Sequence, residues 1–161
     1  MPTLTILTGG QTGVDQGVLR AARARGLPTG GFAPKGWLTE DGPAPWLAEW
    51  GLQECPEAGY PARTRRNVQA AWALLWLGNP GSAGGRLTLR LARQQSLHHK
   101  IFAHVGRVAP DDIEVAAWLQ DQVMRGRYDA ALLVAGNRES ACPGIGAWAE
   151  RFLGSVLNLF I

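Results

Sequence analysis

A chain of 161 residues, 46% hydrophobic and 18% charged, is long enough to bury a real core and too apolar for a disordered segment. The net charge is only +3, with arginines spread over several predicted elements and no basic run longer than Arg63-Thr64-Arg65-Arg66, which argues against nucleic acid and suits a small anion. Two cysteines offer neither a disulfide framework nor zinc spacing, no apolar run approaches the roughly 20 residues of a membrane span, and the N-terminus lacks a signal-peptide pattern. The expectation is one domain over residues 1–161, cytoplasmic and without a membrane partner.

Residues 4–8 read as a strand. Thr8-Gly9-Gly10-Gln11-Thr12-Gly13-Val14-Asp15 forms a glycine-rich turn into a helix over 14–25, where Val14, Val18, Leu19 and Ala22 share a face. Such a turn delivers backbone N–H groups and a positive helix end to one point, a place for phosphate or another anion. Gly30-Gly31-Phe32-Ala33 reads as a short strand. Residues 35–61, rich in Gly and Pro, read as a long excursion with little regular structure; such loops are usually functional or disordered. A helix over 62–69 and a buried strand over 72–77 follow. A second Gly/Ser turn, 78–85, opens a helix over 86–95, and 100–104 is the next strand. Pro110-Asp111-Asp112 begins another helix. Residues 130–135 are a buried strand, and 136–144 a polar loop. The final helix carries Ile145, Trp148, Ala149, Phe152, Leu153 and Val156 at helical spacing. Its apolar tail, 156–161, fits either a contact between copies or an edge strand, and a homo-oligomer is expected.

Continuously apolar strands separated by helices predict an α/β fold: a Rossmann-like, doubly wound, mainly parallel sheet with helices on both faces. The turns after Leu7, Leu77 and Ala135 then gather at the carboxyl edge, where open α/β sheets bind ligands.

The chain resembles the molybdenum carrier (molybdenum cofactor carrier) family. The resemblance rests on Gly9-Gly10-Gln11-Thr12-Gly13-Val14-Asp15, Pro34-Lys35-Gly36 with Glu40-Asp41-Gly42-Pro43, Arg63-Thr64 with Asn67-Val68, and Val134-Ala135-Gly136 with Arg138-Glu139-Ser140 and Pro143-Gly144-Ile145. These pieces run in the family's order over nearly the whole chain. The resemblance implies a Rossmann-like protein that binds molybdenum cofactor, a phosphorylated pterin with a dithiolene, and protects or transfers it. More distantly the chain is similar to phosphoribohydrolases often mislabelled lysine decarboxylases. Two departures stand out. Gln69-Ala70-Ala71 replaces an Asp-Ser-Asp-like step, and Gly84-Gly85-Arg86 with Arg90 replaces a Gly-Gly-Thr turn often followed by an acid. The missing acids count against hydrolysis.

The first predicted cradle is Gly9, Gly10, Gln11, Thr12 and Gly13, with Asp15 either compensating the helix end or bonding a pterin or ribose. Lys35 or Arg63 is either a phosphate clamp or solvated charge, and Asn67 lies one turn beyond Arg63 on the same face. Ser82, Gly84, Gly85 and Thr88 form a second cradle. Gly136, Asn137, Arg138, Glu139 and Ser140 form a third, in which Arg138 and Glu139 either contact the ligand or pair with each other. Trp37 or Trp46 is the tryptophan expected on a flat heterocycle, if the seven do more than pack. His98, His99 and His104 lack ligand spacing, so no metal site is expected, and Cys142, in the third turn, either meets a metal-sulfur centre or, the commoner use, is a small buried hydrophobe. The functional expectation is a non-catalytic carrier of molybdenum cofactor, or of another phosphorylated small molecule. The alternatives are a nucleoside-monophosphate phosphoribohydrolase and a nucleotide-binding sensor.

Overall fold

A computed structural model of the chain describes residues 3–126 and 129–160. Its centre is a five-stranded parallel sheet built from β1 (Thr3–Leu7), β2 (Thr29–Gly30), β7 (Ala73–Leu77), β8 (His98–Phe102) and β9 (Asp129–Gly136). The spatial order is β2-β1-β9-β7-β8, so the last strand in sequence is the middle one in space. β9 pairs Leu133 with Leu7 on one side and Gly136 with Leu77 on the other.

Strand periodicity divides the sheet into two faces. Ile6, Leu75, Leu77, Leu132 and Val134 point to one, against α1 (Val14–Ala24), α4 (Asp111–Gly126) and α5 (Ile145–Phe160). Leu7, Leu74, Trp76 and Leu133 point to the other, against Val68 of α2 (Tyr60–Ala70) and Leu89 and Ala92 of α3 (Ala83–Gln94). Helices on both faces of a parallel sheet make the doubly wound α/β fold expected from the sequence. Phe102, Trp148 and Phe152 stack in the first core, with the two phenylalanine rings 4.6 Å apart.

Several element boundaries differ from the sequence reading. The excursion is not structureless. It holds β6 (Gln53–Glu54), which pairs in parallel with β3 (Phe32–Ala33) just ahead of the excursion, and the antiparallel pair β4 (Leu38–Thr39) and β5 (Gly42–Pro43). Two 3₁₀ turns complete it. Its Ala44, Leu47 and Leu52 pack with Leu19 of α1 and Ala33 of β3 in a small core, which the Gly and Pro content masks. The strand expected over residues 30–33 is split between β2 and β3. α3 starts at Ala83, so Gly84 and Gly85 lie inside the helix, because Ser82 supplies its cap. α2 starts at Tyr60, with Pro61 tolerated in its first turn. β8 begins two residues before the expected strand: as an edge strand it needs burial on one side only. The apolar tail continues α5 through Phe160 rather than forming an edge strand, with Val156 and Leu157 buried; Ile161 lies outside the described residues.

α1 and α5 cross at a glycine. A Cβ on Gly17 would lie 2.2 Å from the Gly146 carbonyl oxygen. Gly17→Ala is expected to lower the unfolding free energy by about 1–3 kcal/mol, the usual cost of overpacking. A methyl group added at Gly84 would meet nothing within 4 Å. Gly84→Ala therefore leaves stability unchanged or raises it by up to about 1 kcal/mol. Denaturant titration of the two variants checks the contrast.

Candidate functional site

A cavity of about 430 Å³ opens at the carboxyl edge of the sheet, on the side of α2 and α3. That volume is in the range of small-molecule sites. Its construction begins with Arg63, in the first turn of α2. The Arg63 side chain passes over the opening turn, and its Nη1 donates to the Gly9 carbonyl oxygen at 2.8 Å. Position 9 is glycine for this reason: a Cβ there would fall 1.8 Å from Nη1. Asp15, in the first turn of α1, lies 3.6 Å from the same nitrogen and accepts the Gln11 N–H at 3.1 Å. Both side chains are nearly buried, Arg63 12% and Asp15 8% exposed.

Burial pushes the Asp15 carboxyl up to about 6, against the pull of Arg63 and of the Gln11 and Gly9 amides. Burial likewise lowers Arg63 despite Asp15. The pair therefore does not fully offset its removal from water. Arg63 Nε is buried with no hydrogen-bond partner. An anion in the cavity would offset the removal of this guanidinium from water.

Helix ends add to this. α2 and α3 both reach the cavity with their first turns, through Tyr60, Pro61, Arg63 and Thr64 and through Ala83 and Gly84. Neither first turn contains an acid. By contrast, α1 has Asp15, and Glu139 accepts the N–H groups of Gly144 and Gly146 at the start of α5. Two positive helix ends thus face the cavity without a carboxylate to neutralise them. Below them Trp76, Leu87, Leu133 and Ala135 form an apolar floor. Arg138 is exposed at the rim.

A family model described as the circularly permuted YpsA SLOG family matches residues 6–157. The chain belongs to that family. It is also similar to a crystal structure from Syntrophus aciditrophicus SB named a putative molybdenum carrier protein. The two share 28% identity with a TM-score of 0.81, over 99% of this chain and 96% of the other. A search of curated proteins finds no match.

In this SLOG chain the fold brings eleven of the eighteen sequence candidates into the cavity wall: Gly9, Gln11, Asp15, Arg63, Asn67, Ser82, Gly84, Thr88, Gly136, Asn137 and Arg138. Several are fasteners as well as wall. Asn137 Oδ1 accepts the Asn79 N–H at 2.7 Å, and its Nδ2 donates to the Asn79 carbonyl and to Ser82 Oγ. Asn67 grips Phe32 in the same two-bond way, at 2.8 and 3.0 Å. Ser82 Oγ accepts the Gly85 N–H, and Thr88 Oγ1 donates to the Gly84 carbonyl.

The other seven do not line the cavity. Gly10 packs against Leu47, and Gly13 against the backbone of residues 137–139. Gly85 packs against the Pro80 carbonyl. Lys35 is exposed on the excursion. Glu139 caps α5 instead of pairing with Arg138. Thr12 and Ser140 bind Glu40, whose carboxylate accepts both their hydroxyls and the Ser140 N–H. Burial works against Glu40, but the Ser140 and Thr12 hydrogen bonds outweigh it and hold the carboxyl below its usual value. Glu40 thereby ties the excursion to the first and third turns.

The tryptophan on the wall is Trp76, not Trp37 or Trp46. Trp46 is 41% exposed and meets Trp50 edge-on at 5.0 Å. The alternation along β7 was the available signal: Trp76 faces the α2–α3 side at the carboxyl end of its strand. Among the described residues, no group of three or more His, Cys, Asp or Glu could hold a metal ion. No helix of those residues is long and apolar enough to cross a membrane.

The Asp15 pKa gives a pH signature. A carboxyl raised in the folded state stabilises the fold fully below its unfolded value of 3.8, and that contribution is lost as pH rises through about 6. In Asp15→Asn the corresponding fall in unfolding free energy between about pH 4 and 6 should disappear. Denaturant midpoints of both proteins across that window check it.

Proposed function

We propose that the cavity binds a phosphorylated pterin of the molybdenum cofactor class, and that the chain carries it without transforming it. The observation that carries this reading is Arg63: a nearly buried guanidinium lining the cavity, paired with Asp15 only at 3.6 Å, beside two helix ends whose first turns hold no acid. A phosphate suits that end. A flat ring suits the other, against Trp76 and Leu133. The dithiolene of the cofactor would keep the molybdenum, since the described residues offer no ligand cluster for the metal. The name of the Syntrophus protein supports the same cargo.

A second reading has one observation in its favour. Asp15 lines the cavity with a pKa of about 6, the range of a general acid or base, as hydrolysis of a nucleoside monophosphate would require. Its ties to the Gln11 N–H and to Arg63 favour a positioning role instead. We also read the chain as cytoplasmic and as forming homo-oligomers, with Leu159, 56% exposed on the last turn of α5, in the contact. Light scattering should return a mass above that of one chain.

The carrier reading is tested with molybdenum cofactor added anaerobically to purified protein, followed by desalting and fluorescence assay of the retained pterin after oxidation. Wild-type protein should retain cofactor and prolong its survival. Arg63→Met should weaken binding about 10- to 100-fold, the worth of one or two charged hydrogen bonds. Absence of both retention and protection refutes the reading. Release of free base from nucleoside monophosphates, abolished by Asp15→Asn, would establish the second one.

A further inference from the structure

Residues 58–97 contain six arginines (63, 65, 66, 86, 90 and 93) and no acid. The rest of the chain holds ten basic residues against thirteen acids and is therefore net −3. The fold lays α2 and α3 side by side on one face of the sheet, so this charge becomes a surface. Two of the six arginines have local partners: Arg63 has Asp15, and Arg66 makes a two-bond pair with Glu57. Arg65, Arg86, Arg90 and Arg93 are exposed, and none has an ion pair or side-chain hydrogen bond within the described residues. Elsewhere Arg20 pairs with Glu150, Arg107 with Asp111 and Arg125 with Asp121, while Arg23, Arg138 and Arg151 are exposed without an ion pair among the described residues.

Arg86, Arg90 and Arg93 stand at i, i+4 and i+7 on α3, flanking the buried Gly85, Leu89 and Ala92. They make one ridge, about 10 Å long. Like charges at such spacing weaken a helix slightly in the free chain. The ridge starts two residues beyond Gly84, which lines the cavity, and Arg138 is exposed at the rim.

We infer that the Arg86–Arg90–Arg93 ridge docks an acidic protein surface along the flank of α3, the helix whose first turn lines the cavity. Arginine forks match carboxylates two bonds at a time, and arginine is enriched at protein interfaces. Nucleic acid fits less well. A tight duplex contact needs roughly six to ten phosphate-binding cations, no aromatic side chain stands on the ridge for base stacking, and the net-negative remainder of the chain repels an extended polyanion. A membrane fits less well too, because the apolar side of α3 is already buried. That the partner gives or receives the cavity's occupant rests on the carrier reading; the docking does not.

The test uses a fluorescent helical peptide with glutamates at matching spacing, a short DNA duplex, and phosphatidylserine-containing vesicles. The full chain should bind the peptide with strong salt dependence, and more tightly than the duplex or vesicles. A triple variant, Arg86→Gln with Arg90→Gln and Arg93→Gln, should bind it at least tenfold more weakly, while unfolding normally and retaining cofactor like wild type. A control that loses equal charge elsewhere, Arg20→Gln with Arg107→Gln and Arg125→Gln, should keep peptide binding. Peptide binding that survives the ridge variant, or falls equally in the control, overturns the proposal, as does tighter binding of the duplex or vesicles. Loss of cofactor retention with peptide binding intact would instead sink the carrier reading and leave the docking surface standing.

Discussion

The position of β9 governs the rest of the molecule. Inserted between β1 and β7 and parallel to both, it sets three strand ends side by side. The turns that leave those ends must then satisfy one another's backbone groups, because little water reaches them. The Val14 N–H donates to the Asn137 carbonyl at 3.2 Å, the Glu139 N–H to Thr12 Oγ1, and the Asn79 backbone is gripped by the Asn137 amide. The first and second glycine turns are not neighbours, as their order in the chain suggests. The third turn lies between them and fastens both.

Onto this frame the fold loads an electrostatic imbalance. Arg63 is carried into the protein by the first turn of α2, and Asp15 meets it at 3.6 Å, too far for a strong charge-assisted hydrogen bond. Burial then works against both charges. The first turns of α2 and α3 add positive potential from the same direction, with no acid in either. A native protein tolerates such a local deficit where an occupant or the chemistry relieves it. The apolar floor beneath suits the proposed occupant, charged at one end and flat at the other.

Much of this was legible in the residues. Continuous apolar runs at 73–77 and 130–135 announced buried parallel strands, and parallelism alone forced the three turns to one edge. What was not legible has physical causes. Local patterns carry no record of strand order, so the central place of β9 was hidden. Glycine and proline masked the small core under Leu47 and Leu52, because a few buried leucines leave no periodic trace. The residues left Arg63 either a phosphate clamp or a solvated charge at an unfavourable helix end, and only the close approach to Gly9 shows that it is buried. Trp37 and Trp46 drew notice because they lie in a loop. Trp76 stands on the wall because the pleat turns it toward α2 and α3.

The fasteners of the cavity wall are chemically selective. The two side chains that clamp its seams from within, Asn67 and Asn137, are amides, each giving one donor and one acceptor to a single backbone residue. Aspartate in either place would offer only acceptors, setting an oxygen against a carbonyl, and would bring a negative charge into the chamber. The carboxylates that do comparable work, Glu40 and Glu139, stand outside the wall. Apart from the mutually compensating Arg63–Asp15 pair, joinery inside the chamber is thus electroneutral, and joinery outside it is ionic. The scaffold can be held rigid without spending the positive field that distinguishes an anionic guest from a neutral one.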